Sequence, residues 1–188
     1  NFRTGSALPA PVLLRAANAL LPPSIRILNL DPAPFPFHAR RAARQKRYAY
    51  RFFLSRHAPP FGREYALHVK YPLDLERMRQ AGRLLVGRRD FAALATNPGE
   101  ERRSTVRTLS RLHLVRRGAD LWLVVQGDGF LYNMVRTIAG TLLEVGRGRF
   151  APSCVAGILA SRDRRRAGPV LPARGLVLLR VAYGGALG

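Results

Sequence analysis

The sequence predicts an α+β protein built on a mainly antiparallel sheet with flanking helices. Three observations carry that prediction. Val106 to Val115 and Leu121 to Gln126 are β-like and flank Arg116-Arg117-Gly118-Ala119-Asp120, a connector with glycine in it, so they read as a hairpin. Tyr48 to Leu54 is an aromatic-rich strand. Phe130, Leu131, Met134, Val135, Ile138 and Leu142 recur at helical spacing and predict a helix over Phe130 to Val145, with Gly146 as its stop.

The remaining elements follow in order. Pro9 and Pro11 open a short helix over Val12 to Leu21, which Pro22-Pro23 ends. Ile25-Arg26-Ile27-Leu28 alternates as a strand does, and the proline-rich run Asp31 to Pro36 is an extended connector. Asp74 N-caps a helix carrying Leu75, Met78, Gly82 and Leu85 on one stripe and ending near Gly87. Gly127-Asp128-Gly129 turns the chain into the Phe130 helix; such a turn can cradle a phosphate, but a plain strand-to-helix turn explains both glycines. Ala151 to Ala160 offers a second short helix, Ser161 to Gly175 reads as a mobile loop rich in Pro, Gly and Arg, and Leu176 to Tyr183 as a closing strand.

The 188 residues hold 32 Lys and Arg against 11 Asp and Glu, a formal net charge of +21. So large an excess points to a polyanionic partner, and with 47% apolar residues it belongs to a folded basic protein and not to a disordered tail. The single Cys154 rules out an intramolecular disulfide and reads as a buried, inert thiol in a reducing compartment. No apolar run approaches the roughly 18 residues of a membrane span and no signal-like segment opens the chain, so we expect a cytoplasmic protein with no membrane partner. The chain opens on Asn1 and not on Met, as a processed or truncated chain does. Residues upstream are expected.

His38, His57, His68 and His113 share no metal-ligand spacing with one another or with Cys154, so no metal site is expected. Hydrolase chemistry lacks its Gly-x-Ser-x-Gly elbow. From His38 to His57 the chain interleaves Arg and Lys with Tyr48, Tyr50, Phe52 and Phe53 and has no Asp or Glu. That mixture suits RNA, where cations neutralise phosphates and aromatic faces stack on unpaired bases, although whichever aromatics face inward are sheet core. On the Phe130 helix, Asn133, Arg136, Thr137 and Gly140 share the face away from Met134 and Ile138. That face is either simply solvated or a cation site for a carboxylate.

Several segments, in order and over nearly the whole chain, resemble the tRNA pseudouridine synthase A family. They are Ala19-Leu20-Leu21-Pro22-Pro23-Ser24-Ile25-Arg26, Phe37-His38-Ala39-Arg40, Lys46-Arg47-Tyr48-Ala49-Tyr50, Gly87-Arg88-Arg89-Asp90-Phe91, Gly129 to Gly140 and Pro172 to Leu178. The most specific is Phe130-Leu131-Tyr132-Asn133-Met134-Val135-Arg136-Thr137-Ile138-Ala139-Gly140. Arg89 departs from the histidine that the family commonly has before Asp-Phe.

The resemblance implies the pseudouridine synthase fold and an isomerase that detaches uracil from ribose, turns it and rejoins it through carbon. Its substrate would be tRNA, at anticodon stem-loop uridines of roughly positions 38–40, with the target base taken out of its stack. It also implies a homodimer that uses no cofactor and no metal. In the family an aspartate in an Arg-Thr-Asp-x-Gly-Val-His-like loop attacks the substrate, a strand tyrosine packs on the target base and a helix arginine pairs with the aspartate. Tyr48 and Arg136 match the last two. No such loop occurs here, and none of the aspartates at 31, 74, 90, 120, 128 and 163 has that context. We therefore expect a synthase region, 1–188, lacking the upstream catalytic loop: an RNA-facing part over 1–60 and a C-terminal part over 61–188 with the hairpin and the Arg136 helix.

Arg40, Arg44, Lys46, Arg47, Arg103 and Arg107 lie in or beside the family-like segments and are the candidates for phosphate contacts. A non-catalytic RNA-binding protein derived from the same fold is the alternative, and a ribosomal-type coat protein a third. The third gives no reason for the Phe130 to Gly140 segment. An aspartate loop encoded upstream distinguishes the enzyme from the binding protein.

Overall fold

A computed structural model of the protein describes residues 1–96 and 104–184. By internal contacts the described residues divide into two units, one of Asn1–Ala43 with Tyr183 and Gly184 and one within Arg44–Ala182.

In the first unit, α1 (Ala10–Leu20) starts behind Pro9 with a proline in its first turn, where the missing N–H is no loss. No strand forms at Ile25–Leu28, contrary to the alternation of its residues. Asn18 is the reason: its side-chain amide donates to the Ile27 carbonyl and its Oδ1 accepts from the Ile27 N–H, both at 2.9 Å. An asparagine side chain thus satisfies the backbone that a ladder would otherwise have used.

The second unit is a mixed six-stranded sheet covered on one face by helices. Along the main path β2 (Leu67–Val69), β1 (Ala43–Leu54), β5 (Asp120–Gly127), β4 (Val106–Arg117) and β3 (Gly87–Asp90) lie side by side. β6 (Leu176–Tyr183) pairs with β1 off that path. The β1–β5, β5–β4 and β4–β3 pairs are antiparallel, as expected of a mainly antiparallel α+β sheet, and β1–β2 is parallel. The β4–β5 hairpin is tighter than its sequence suggests, because Arg117 pairs directly with Asp120 and only Gly118-Ala119 turn.

Tyr50 and Phe52 of β1, Leu121, Leu123 and Val125 of β5, and Leu109 and Leu114 of β4 all point to the covered face. They form one core with Met78 and Leu85 of α2 (Leu75–Leu85) and Met134, Ile138 and Leu142 of α3 (Met134–Gly146). Each large side chain so buried contributes about 1.5–3 kcal/mol. Asp74 caps α2 as its position predicts, accepting from the Glu76 and Arg77 N–H groups at 3.0 Å. On the uncovered face Arg51 pairs with Asp120 at 2.7 Å and lies over the Trp122 ring.

A bulge at Ser110 sets the direction of β4. The register steps from Leu109↔Gly127 to Arg111↔Gln126, so Leu109 and Arg107 share the covered face with Leu112 and Leu114, and Arg111 and His113 turn to the other. Without it, strict alternation would send Arg107 and Arg111 the same way.

Two further expectations change. α3 begins at Met134, not Phe130, because Asn133 is left-handed at φ +59° and caps the helix; Gly146 is its last residue, not its stop. Apolar spacing cannot separate a buried turn from a helix when both bury the same residues. Ser161 to Gly175 is no loose loop. After α4 (Cys154–Ser161) it makes short 3-10 turns at Arg164–Arg166 and Ala173–Gly175, buries Leu171 and sends the Gly168 N–H to Thr141 Oγ1 at 3.0 Å.

Candidate functional site

β1 carries Tyr48, Tyr50 and Phe52 on one face, since side chains two apart share a side. Phe52 and Tyr50 are wholly buried, whereas Tyr48, nearer the start of the strand, is half-buried and meets Phe130 edge-on with centroids 5.1 Å apart. Phe130 belongs to the turn before α3. Tyr48 is thereby braced at its edge.

Arg136 stands in the first turn of α3, half-buried. Its Nε donates to the Leu171 carbonyl, and one terminal nitrogen donates to Asn133 Oδ1 at 2.8 Å. Asn133 is fixed in turn: its amide donates to Thr96 Oγ1 at 2.8 Å and its carbonyl accepts the Thr137 N–H at 2.9 Å. Both anchors of the guanidinium are neutral. Among the described residues no carboxylate lies within ion-pair distance of Arg136, so its fork is oriented by the fold and its charge is uncompensated there.

The same chain segment serves Tyr50, whose hydroxyl donates to the Pro172 carbonyl at 2.7 Å. Burial pushes this hydroxyl up to about 12, although the nearby charges of Arg136 and Arg174 pull it down. It therefore keeps its proton and remains a donor across the ordinary pH range. Gly175 makes that approach possible, because a Cβ there would stand 2.7 Å from Tyr50 Cζ. Gly140 does the same for Pro169, whose carbonyl occupies the space of a side chain. Leu171 and Pro172 are thus seated beside Arg136 by contacts with α3 and β1.

Every aspartate of the sequence has a structural partner. Asp31 accepts from Asn29, Asp74 caps α2, Asp90 takes the Ala92 N–H and pairs with Arg162, and Asp120 pairs with Arg51. Asp128 accepts the Thr108 N–H and Asp163 pairs with Arg165. The Asp128 contact closes the strand end, and α3 begins only at Met134, so the Gly127-Asp128-Gly129 turn is not a helix N-terminal phosphate cradle. No group of three His, Cys, Asp or Glu gathers as metal ligands among the described residues.

The basic candidates are spread. Arg107 lies against Gly129, next to Phe130, and its guanidinium donates to the Ser104 and Val106 carbonyls. Directly across the ladder stands Arg89, a like-charge pair that an anion would relieve. Lys46 and Arg47 sit opposite Gly127 and Gln126 on the strand that holds Tyr48, with Arg47 Nε donating to Gln126 Oε1 at 2.8 Å. Arg44 is exposed at the start of that strand. Arg40 is exposed in the first unit, and Arg103 lies outside the described residues. The Asn133 bridge, the Leu171 and Pro172 acceptors and the role of Tyr50 were missed in the sequence. Of these, the Asn133–Arg136 spacing of i,i+3 was a visible signal.

No helix among the described residues is long and apolar enough to cross a membrane. The family model described as tRNA pseudouridine synthase matches residues 81–184. The tRNA pseudouridine synthase A of Bacillus licheniformis is 40% identical over 183 residues, 97% of this chain and 74% of that protein. The tRNA pseudouridine synthase A 2 of Clostridium perfringens is 39% identical over 97% of this chain and 75% of its own length. That of Halalkalibacterium halodurans, named tRNA pseudouridine synthase A, is 42% identical over 94% and 67%. With the α+β sheet and the Phe130 to Gly140 segment already in place, these matches show that the chain belongs to the tRNA pseudouridine synthase A family.

Proposed function

We propose that this protein isomerises uridine to pseudouridine in the anticodon stem-loop of tRNA, as a cytoplasmic homodimer that uses no metal or cofactor. The observation that carries the reading is Arg136, a half-buried guanidinium oriented by Leu171 and Asn133 and with no carboxylate partner among the described residues. Its carboxylate is an aspartate of the family's Arg-Thr-Asp loop, carried outside these 188 residues. In the reaction the bond from uracil N1 to ribose C1′ breaks, a C5–C1′ bond forms, and the C5 proton is lost as N1 gains one. Arg136 holds the carboxylate ionised and aimed, and Tyr48, braced by Phe130, stacks on the base.

The test is conversion of unmodified tRNA by the whole encoded protein, with pseudouridine mapped in the anticodon arm. Tight binding without conversion would instead favour the non-catalytic RNA-binding protein. Extruding the base costs roughly a few kcal/mol, which stacking offsets. Tyr48→Ala is therefore expected to lose on the order of 1–3 kcal/mol of transition-state stabilisation, read from kcat/KM. Joint neutralisation of Arg40, Arg44, Lys46, Arg47, Arg103 and Arg107 is expected to flatten the slope of log affinity against log salt by roughly 0.7–0.9 for each phosphate that is no longer neutralised. An unchanged slope would remove these residues from the interface.

A further inference from the structure

We propose that Arg89 and Arg107 form a clamp for one phosphate of the RNA backbone, on the sheet face that carries Tyr48. The inference rests on the reading of the protein as a tRNA-binding synthase. Register fixes the face. Tyr48 lies two residues from Lys46 on β1, so the two share a side, and the row of Lys46 crosses the sheet through Gly127 and Leu109 to Gly87. Arg107 stands two residues from Leu109 and Arg89 two from Gly87, and the arginines oppose each other directly, so both keep to that side. The bulge at Ser110 lies outside this path and leaves it unchanged.

Side chains directly opposite in an antiparallel ladder have Cβ atoms about 5 Å apart, and like charges so placed are destabilising. Neither arginine forms an ion pair among the described residues. The described acids that adjoin them, Asp90 next to Arg89 and Asp128 next to Gly129, are engaged elsewhere. Asp90 accepts the Ala92 N–H and pairs with Arg162, and Asp128 accepts the Thr108 N–H. Arg107 is half-buried and steadied: one terminal nitrogen donates to the Ser104 and Val106 carbonyls, and its Nε lies against Gly129, 3.4 Å from where a Cβ would stand. Phe130, the ring that braces Tyr48, follows that glycine. Arg89 is exposed, and its guanidinium lies back over Gly87 with no hydrogen-bond partner among the described residues. The pair is thus one fixed donor and one free arm. A phosphate between them accepts N–H groups from both forks and cancels their repulsion, and Arg107, already oriented, loses little freedom in holding it.

The experiment measures binding of an anticodon stem-loop RNA as a function of salt, with the whole encoded protein, its Arg89→Gln and Arg107→Gln variants and the double variant. Each single change is expected to weaken binding about tenfold, and the second to cost less when made on top of the first, because both act on one anion. The double variant should flatten the slope of log affinity against log salt by roughly 0.7–0.9, the worth of one phosphate. Flattening by about twice that would mean two separate phosphates, and no flattening would mean no contact; either overturns the clamp. Melting of the free protein verifies folding and gives an independent reading. Arg89→Gln removes the repulsion and should raise the melting temperature by up to about 4 °C. A lowered melting temperature with unchanged RNA binding would show that the chain itself neutralises the pair, and would end the proposal. So would binding of inorganic phosphate that depends on Arg89 while the RNA slope does not, because the site would then serve a free anion. Pseudouridine formation by the unmutated protein, measured in parallel, reports on the enzyme reading separately. Conversion with an unchanged slope in the double variant keeps the enzyme and removes the clamp, and the converse result does the reverse.

Discussion

Replacing Arg136 with alanine is expected to slow pseudouridine formation on the order of 10²- to 10³-fold, the usual cost of losing one preorganised charged donor, with tRNA affinity little changed. The guanidinium is held by the Leu171 carbonyl and Asn133 Oδ1, so it arrives in place before any carboxylate does. On the proposed mechanism alanine removes the charge that would keep the nucleophile ionised, and it leaves the Leu171 carbonyl without this donor. The second loss bears on stability by about 1–3 kcal/mol, and a melting curve separates it from the catalytic loss. Lysine should not rescue the rate, because one ammonium cannot reproduce a fork that meets two anchors and still presents N–H groups to a third group. Single-turnover conversion beside equilibrium tRNA binding is the measurement. An undiminished turnover rate in Arg136→Ala would sink the assignment.

Gly140→Ala should be the most damaging small substitution in α3. The added methyl would collide with the Pro169 carbonyl, which belongs to backbone and not to the yielding end of a side chain. Either α3 or residues 168–172 must move, at a cost on the order of 1–3 kcal/mol or more. For a protein of this size that is about 2–4 °C of melting temperature per kcal/mol. Activity should fall beyond what the melting shift explains, since Leu171 and Pro172, two and three residues on, supply the acceptors for Arg136 and Tyr50. A variant that melts normally and converts uridine normally would show that the close approach is unimportant.

Legibility in the sequence followed how local each cause is. The α2 cap was readable because Asp74 acts on N–H groups two and three residues away, and β6 because its β-like composition runs unbroken from Leu176 to Tyr183. Ile25–Leu28 misled because its competitor, Asn18, lies nine residues earlier and acts through a side chain. Ser161 to Gly175 has the composition of a loop, yet Thr141 and Arg136 of α3 satisfy its backbone, and nothing within the segment announces those partners. For the candidate site, Arg136 and Tyr48 were proposed from the resemblance, and pattern alone left Arg136 open between a solvated face and a carboxylate site. The left-handed Asn133, which decides where α3 starts and where the guanidinium points, depends on Thr96 and on packing that no spacing rule encodes.

The use of two consecutive carbonyls, Leu171 for Arg136 and Pro172 for Tyr50, ties the fates of two residues that are 86 positions apart in the chain. Any fluctuation that lifts this short stretch removes one of the two anchors of Arg136 and the acceptor of Tyr50 together, while Asn133 still holds the guanidinium. Opening of the stretch would loosen the aim of the charge at Arg136 without setting it free.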